Sequence, residues 1–250
     1  MLERLGKNIG RYHGEAIPID RILEQIHEEA LRHDWACDTF LSSGNLTLRA
    51  YRRPAPRSPL NLYVSAGIHG DEPSGPLAIL RTLRENSWPE ANLWLIPCLN
   101  PAGFRLNTRE NAEGIDLNRD YRQPSTLEVR AHVEWLERQP RFDLSLILHE
   151  DWEANGFYVY ELNPENRPSL AGHIVETVRA HCPIEHSSRV DDWDCVGGII
   201  RPQVDPNERP QWAEAVYLLV SKSRLNYTLE TPSDFPLPFR TDIQTHALRA

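Results

Sequence analysis

Lysine is nearly missing from this chain. Of its 27 basic residues only Lys7 and Lys222 are lysines, so almost every positive charge sits on arginine. A planar guanidinium fork suits carboxylate recognition better than an ammonium does, although a compositional bias would give the same count. Long apolar runs are missing too. No stretch reaches 18 consecutive apolar residues, which excludes a transmembrane helix. The opening segment MLERLGKNIGRYHGE has no apolar core, so no secretory leader is expected. Cysteine is sparse and scattered (Cys37, Cys98, Cys182, Cys195) with no CxxC pair. That spacing excludes a zinc ribbon and reads as reduced thiols in a cytoplasmic protein. Surplus positive charge is lacking as well. The formal net charge is -9, which argues against nucleic acid or an anionic membrane as a partner. Internal repeats and low-complexity blocks are absent.

What remains is an ordinary globular composition, 40% hydrophobic and 25% charged over 250 residues. That is enough to bury a sizeable core, and it predicts a single domain over residues 1–250. Apolar residues at helical spacing (Ile22, Leu23, Ile26, Ala30) predict a helix over 18–33 with Asp20 as its N-cap. A hairpin is expected over 38–52 around Ser43-Gly44-Asn45. Strands are expected at 60–66, 92–98, 143–148, 156–162 and 225–230, and helices at 73–85, 124–138, 167–181 and 211–223. Asn100-Pro101-Ala102-Gly103 reads as a turn. Alternating strands and helices imply an α/β fold with a central mixed, largely parallel sheet flanked by helices. Ligand sites in such sheets lie at the carboxyl ends of strands, which directs attention to His69, His149 and Glu230.

His69-Gly70-Asp71-Glu72 places an imidazole and a carboxylate three residues apart, and His149 closes a later strand. Two histidines and one glutamate form a ligand set for catalytic zinc with an open fourth position. An HxxE alone is a common chance pattern. It gains weight from the segments that follow: Asn100-Pro101-Ala102-Gly103, then Arg109, then Asp116-Leu117-Asn118-Arg119, and at the end Tyr227-Thr228-Leu229-Glu230. In this order and extent the sequence resembles the zinc metallocarboxypeptidase family, the carboxypeptidase A-like group, with short bacterial members such as murein peptide amidases nearest in kind.

The resemblance implies a hydrolase-like α/β fold of the zinc peptidase type and one Zn2+ per chain. It implies His69, Glu72 and His149 as the zinc ligands and Asp116 as the carboxylate that accepts from the first zinc histidine. Asn118 and Arg119 match the pair that holds the substrate's free carboxylate. Arg109 matches the group that polarises the scissile carbonyl, and Glu230 matches the general base. The implied activity is hydrolysis of a peptide or amide bond next to a free carboxylate. The implied partner is a small substrate of that kind. An alternative is the succinylglutamate desuccinylase and aspartoacylase branch, which deacylates N-acyl amino acids. That branch carries a β domain after its base, whereas only 20 residues follow Glu230. An inactive zinc-binding module is a third reading.

Other features have plainer readings. His149-Glu150-Asp151-Trp152-Glu153 reads as a solvated acidic loop, unless Glu150 or Asp151 tunes the metal. The run from His181 to His186 reads as a surface loop, and Tyr158 and Tyr160 as packing residues. Gly197-Gly198 falls where the family has a flexible pocket loop, and residues 199–209 lack the tyrosine found there in digestive carboxypeptidases. Arg109 and Arg119, with neighbouring Arg105 or Arg122, are expected to concentrate positive charge in one short segment beside the metal.

Overall fold

The computed structural model describes residues 4–6, 8 and 14–250. The opening segment read for a leader therefore lies largely outside the described residues, Lys7 included. Among the described residues ten strands form one sheet: β1 (Ala36–Ser43), β2 (Leu46–Arg53), β3 (Asn61–Ala66), β4 (Asn92–Ile96), β5 (Leu144–Asp151), β6 (Tyr158–Leu162), β7 (Arg189–Val190), β8 (Trp193–Val196), β9 (Ile199–Ile200) and β10 (Asn226–Pro232). Their order is β1-β2-β4-β3-β5-β10-β6-β9-β8-β7. The centre, β4-β3-β5-β10, is parallel; β2–β4 and β10–β6 are antiparallel, and β6–β9 is parallel again.

Alternation along the central strands sorts the side chains. Leu62, Val64, Leu146, Leu148, Tyr227 and Leu229 face one layer of helices: α1 (Ile19–Arg32), α2 (Ser74–Arg84), α5 (Ala171–Arg179) and α7 (Leu237–Arg249). Tyr63 and Ile147 face the other layer, α4 (Leu127–Glu137) and α6 (Glu214–Ser221). Strands covered on both faces read as continuous apolar runs, which is why the central ones were visible in the sequence. Period two then puts His149 and Glu230 on the α4/α6 side, at the carboxyl ends of β5 and β10.

Several local expectations need correction. Helix α1 starts at Ile19 after Pro18 with no side-chain cap, and Asp20 instead pairs with Arg105. Helix α4 begins at Leu127 rather than at 124, and its cap is Thr126, whose hydroxyl accepts from the Val129 N–H. The Asn100–Gly103 turn opens a helix, α3 (Pro101–Leu106). Asn100 caps it by accepting from the Gly103 N–H at 2.8 Å, with proline in its first turn. Strand β5 runs past His149 to Asp151, and Glu150 is buried rather than solvated. Gly197-Gly198 is a tight two-residue turn joining β8 to β9, with both glycines at positive φ. The terminal helix α7 had no counterpart in the sequence reading.

Candidate metal centre and its cavity

The ligand loop follows β3 directly and is held from below by α3. A Cβ on Gly70 would lie 2.0 Å from the carbonyl carbon of Gly103, so the two backbones touch only because Gly70 lacks a side chain, while a Cβ on Gly103 would meet Asn100 Nδ2 at 2.4 Å. Asn100 locks this contact. Beyond capping α3, its Nδ2 donates to the Ile68 carbonyl at 3.2 Å and to the Arg109 carbonyl at 3.3 Å. One asparagine thus ties the metal loop to the arginine segment.

His69, Glu72 and His149 are all buried, and one ligating atom from each lies within 4.8 Å of the others. Both imidazoles present Nδ1 to Glu72, His69 at 2.5 Å and His149 at 2.9 Å. The far nitrogen of His69, Nε2, lies 3.3 Å from Asp116. Donation there turns the Nδ1 lone pair toward the other two groups, the arrangement in which histidines bind metals. Two imidazole nitrogens and a carboxylate, converging in a buried pocket, fit a divalent cation such as zinc.

The charges at this centre depend on one another. Burial would lower the His69 imidazole, but the Glu72 carboxylate and the hydrogen bond to Asp116 raise it overall. Burial would raise Glu72, yet the two histidines hold it well below the usual carboxylate range. Asp116 is likewise held down against its burial by His69 and Arg109. Arg109 donates from Nε to Asp116 at 3.0 Å and brings Nη1 to 3.7 Å from Glu72. It pairs with these two acids rather than with Glu110.

Glu230 stands opposite His149 in the parallel β5–β10 register. Burial, reinforced by Glu72, Asp151 and Asp191 and opposed by His149, pushes its carboxyl up to about 8. Asn118 and Arg119 form a short 3-10 turn, Leu117–Arg119. The Asn118 Oδ1 accepts from the Glu214 N–H at 2.9 Å, which leaves its Nδ2 donors for a ligand. Arg119 is exposed and donates to the Asn118 carbonyl.

His69, Glu72, Arg109, Asn118, Arg119, His149 and Glu230 line one cavity of about 740 Å³, and Asp116 stands behind that lining. Its far wall was not foreseen. Tyr158 and Tyr160 line it and donate to Asp151 at 3.0 Å and to Asp191 at 2.8 Å, so they are more than packing residues. Arg209 also lines the cavity, and its guanidinium sits 6.0 Å from the Trp193 ring. It lies in the stretch where a tyrosine was sought. Arg105 and Arg122 are not among the lining residues. Arg105 pairs with Asp20, and Arg122 donates to the Arg209 carbonyl. The one signal for the far wall was the alternation of Tyr158 and Tyr160, which marks a face without saying what it faces.

The fold and site define a carboxypeptidase-like metallopeptidase class of hydrolase. The chain belongs to the family described as the succinylglutamate desuccinylase/aspartoacylase catalytic domain, which matches residues 59–186. Carboxypeptidase SOL1 of Arabidopsis thaliana is 35% identical over 107 residues, 33% of this chain and 21% of that protein. Murein peptide amidase A of Escherichia coli is 31% identical over 84 residues, 34% of this chain and 35% of that protein. The match thus spans about a fifth to a third of these curated relatives. A crystal structure of a candidate metallopeptidase from Shewanella amazonensis superposes with a TM-score of 0.80 at 25% identity, over 92% of this chain and 91% of that one. Among the described residues no helix is long and apolar enough to cross a membrane, and all four cysteines are free.

Proposed function

We propose that this protein is a zinc-dependent hydrolase of a peptide or amide bond next to a free carboxylate, acting as one catalytic domain over residues 1–250. The observation that carries this reading is the convergence of His69 Nδ1, His149 Nδ1 and the Glu72 carboxylate, with Asp116 behind His69 and Glu230 beside His149. In this reading His69, Glu72 and His149 hold the ion. A zinc ion there supplies Lewis acidity, polarising a carbonyl oxygen and making water ionise near neutral pH.

The chain's own groups do the rest. Arg119 and the Asn118 amide hold the substrate carboxylate and orient the scissile bond. Glu230 takes a proton from water as the water oxygen bonds to the carbonyl carbon. It then delivers that proton to the departing nitrogen as the C–N bond breaks. A carboxylate in this position can accept a proton and return it within one turnover. Arg109 faces the oxyanion that forms between them. Unpaired thiols support a reducing compartment, the cytoplasm.

The family match favours a second reading, deacylation of an N-acyl amino acid by the same groups. The test is metal content plus hydrolysis of a panel of peptides, γ-linked peptides and N-acyl amino acids. The expected result is one zinc per chain, lost in His69→Ala, with Glu230→Gln retaining zinc but not hydrolysis. Cleavage of N-acyl amino acids alone favours the deacylase. Zinc without hydrolysis of any substrate favours an inactive module, and wild-type protein without zinc overturns the mechanism.

A further inference from the structure

We infer that the terminal helix α7 belongs to the metal site, with Arg240 and Gln244 as positioning residues that fix the two ligand-bearing segments against each other through Glu150. The inference rests on the metal reading above. Both residues lie beyond the stretch matched by the family.

The ligands come from two separate pieces of chain, the 69–72 loop and the end of β5, and Glu150 joins them twice. Its backbone N–H donates to Glu72 Oε2 at 3.1 Å, the same oxygen that faces His149. Its side-chain Oε1 accepts from the Ser74 N–H at 2.6 Å, two residues past Glu72 at the start of α2. One residue therefore grips both a ligand carboxylate and the backbone that carries it.

A carboxylate as buried as this needs a partner. Arg240 provides it. Its guanidinium is fully buried and pairs with Glu150 through Nη1 and with Glu15 through Nη2, the latter at 2.7 Å. One helical turn on, Gln244 donates from Nε2 to the His149 carbonyl at 2.7 Å. Residues four apart share a helix face, so α7 presents a fork and an amide to two successive residues of the ligand strand. Packing alone would be met at least as well by apolar side chains. What the polar set adds is direction: it fixes where His149 and Glu150 sit, and through Glu150 where Glu72 points.

The test uses the full chain in four forms: wild type, Arg240→Lys, Gln244→Met and Ile243→Val. Lysine keeps the charge but cannot span Glu150 and Glu15 together. Methionine keeps the length of Gln244 without its donor. Ile243 is buried in α7 but packs in the apolar core. Zinc affinity is measured by chelator competition, and ligand geometry by the visible spectrum of the cobalt(II)-loaded protein. The expected result is a loss of zinc affinity on the order of 10–100-fold in Arg240→Lys and Gln244→Met, with a changed cobalt spectrum. Ile243→Val should lower the melting temperature and leave both readouts unchanged. If Arg240→Lys fails to fold, Gln244→Met decides. Wild-type zinc affinity and spectrum in the polar variants overturn the inference alone, as does an equal loss in Ile243→Val. A wild type that takes up no metal overturns the metal reading and this inference together.

Discussion

The two sides of the cavity are built by different means. The metal side is made of long, fully covered strands, and its charged groups, buried at Glu72 and the histidines and half-buried at Asp116 and Arg109, are linked to one another: Glu72 to both histidines, Asp116 to His69 and Arg109. The far wall combines Tyr158 and Tyr160 of β6 with the short strands β7 to β9, β7 and β9 being two residues each, joined by two-residue turns. Asp191 and Asp192 both adopt left-handed backbone in the β7–β8 turn, and Gly197 and Gly198 do so in the next one. Position on the metal side is set by side-chain chemistry. Position on the wall depends on a backbone turn that carries the exposed Asp191 and Asp192 to the rim, where Asp191 accepts from Tyr160 of β6. A side chain held by several buried partners has little freedom to adapt, whereas one carried on a short hairpin can be exchanged at small cost to the rest.

That contrast predicts which kinetic constant each substitution moves. The largest effect is expected from Glu230→Gln, with kcat lower by ~10²–10⁴-fold at unchanged zinc content. Next is Arg109→Met, lowering kcat by ~10²–10³ with little change in KM, as read from steady-state kinetics on a cleaved substrate. On the wall, Tyr160→Phe removes one hydrogen bond to Asp191, worth about 1 kcal/mol. It should raise KM by only several-fold and leave kcat near wild type. A kcat loss in Tyr160→Phe as large as that in Arg109→Met would break the comparison.

The smallest effect on turnover is expected deep in the core. His132 is fully buried between the Tyr63 and Tyr121 hydroxyls, and burial pushes its imidazole down to about 3. It is neutral when folded, while the unfolded chain binds a proton there below its ordinary value of about 6.5. Stability therefore falls as pH drops from about 6.5 toward 3, by on the order of 3 kcal/mol at pH 4. Melting temperatures across that range should fall less steeply in His132→Gln, and parallel curves would refute the assignment.

How much of this was legible in the sequence follows from the same contrast. The ligand loop, the Asn118-Arg119 pair and Glu230 were singled out by motifs that resemble a known family, and the fold brings them to one cavity. Helix α7 escaped notice because its buried face includes Arg240, Gln244 and Thr245, which erase the apolar period of a helix. Glu150 and Asp151 were read as loop because charged residues seldom continue a covered strand, and the partner that allows it lies 90 residues away. Arg105 and Arg122 were grouped with Arg109 on chain proximity, but helix α3 and the loop after Arg119 carry them to other partners. The Asp191-Asp192 turn has no glycine to announce its left-handed backbone.

The place of β10 has a consequence for how competence arises during folding. This strand lies between β5 and β6, which are neighbours in sequence, and it comes after both in the chain. The paired segments are far apart along the backbone, and pairings of that kind form slowly. A partly folded chain with β3, β5 and α2 in place would already bring the three metal-facing groups together, yet it would have no Glu230 beside them. Under the proposed mechanism, the proton acceptor arrives only when the last central strand is inserted. A one-residue slip of that strand would turn Glu230 to the opposite face of the sheet.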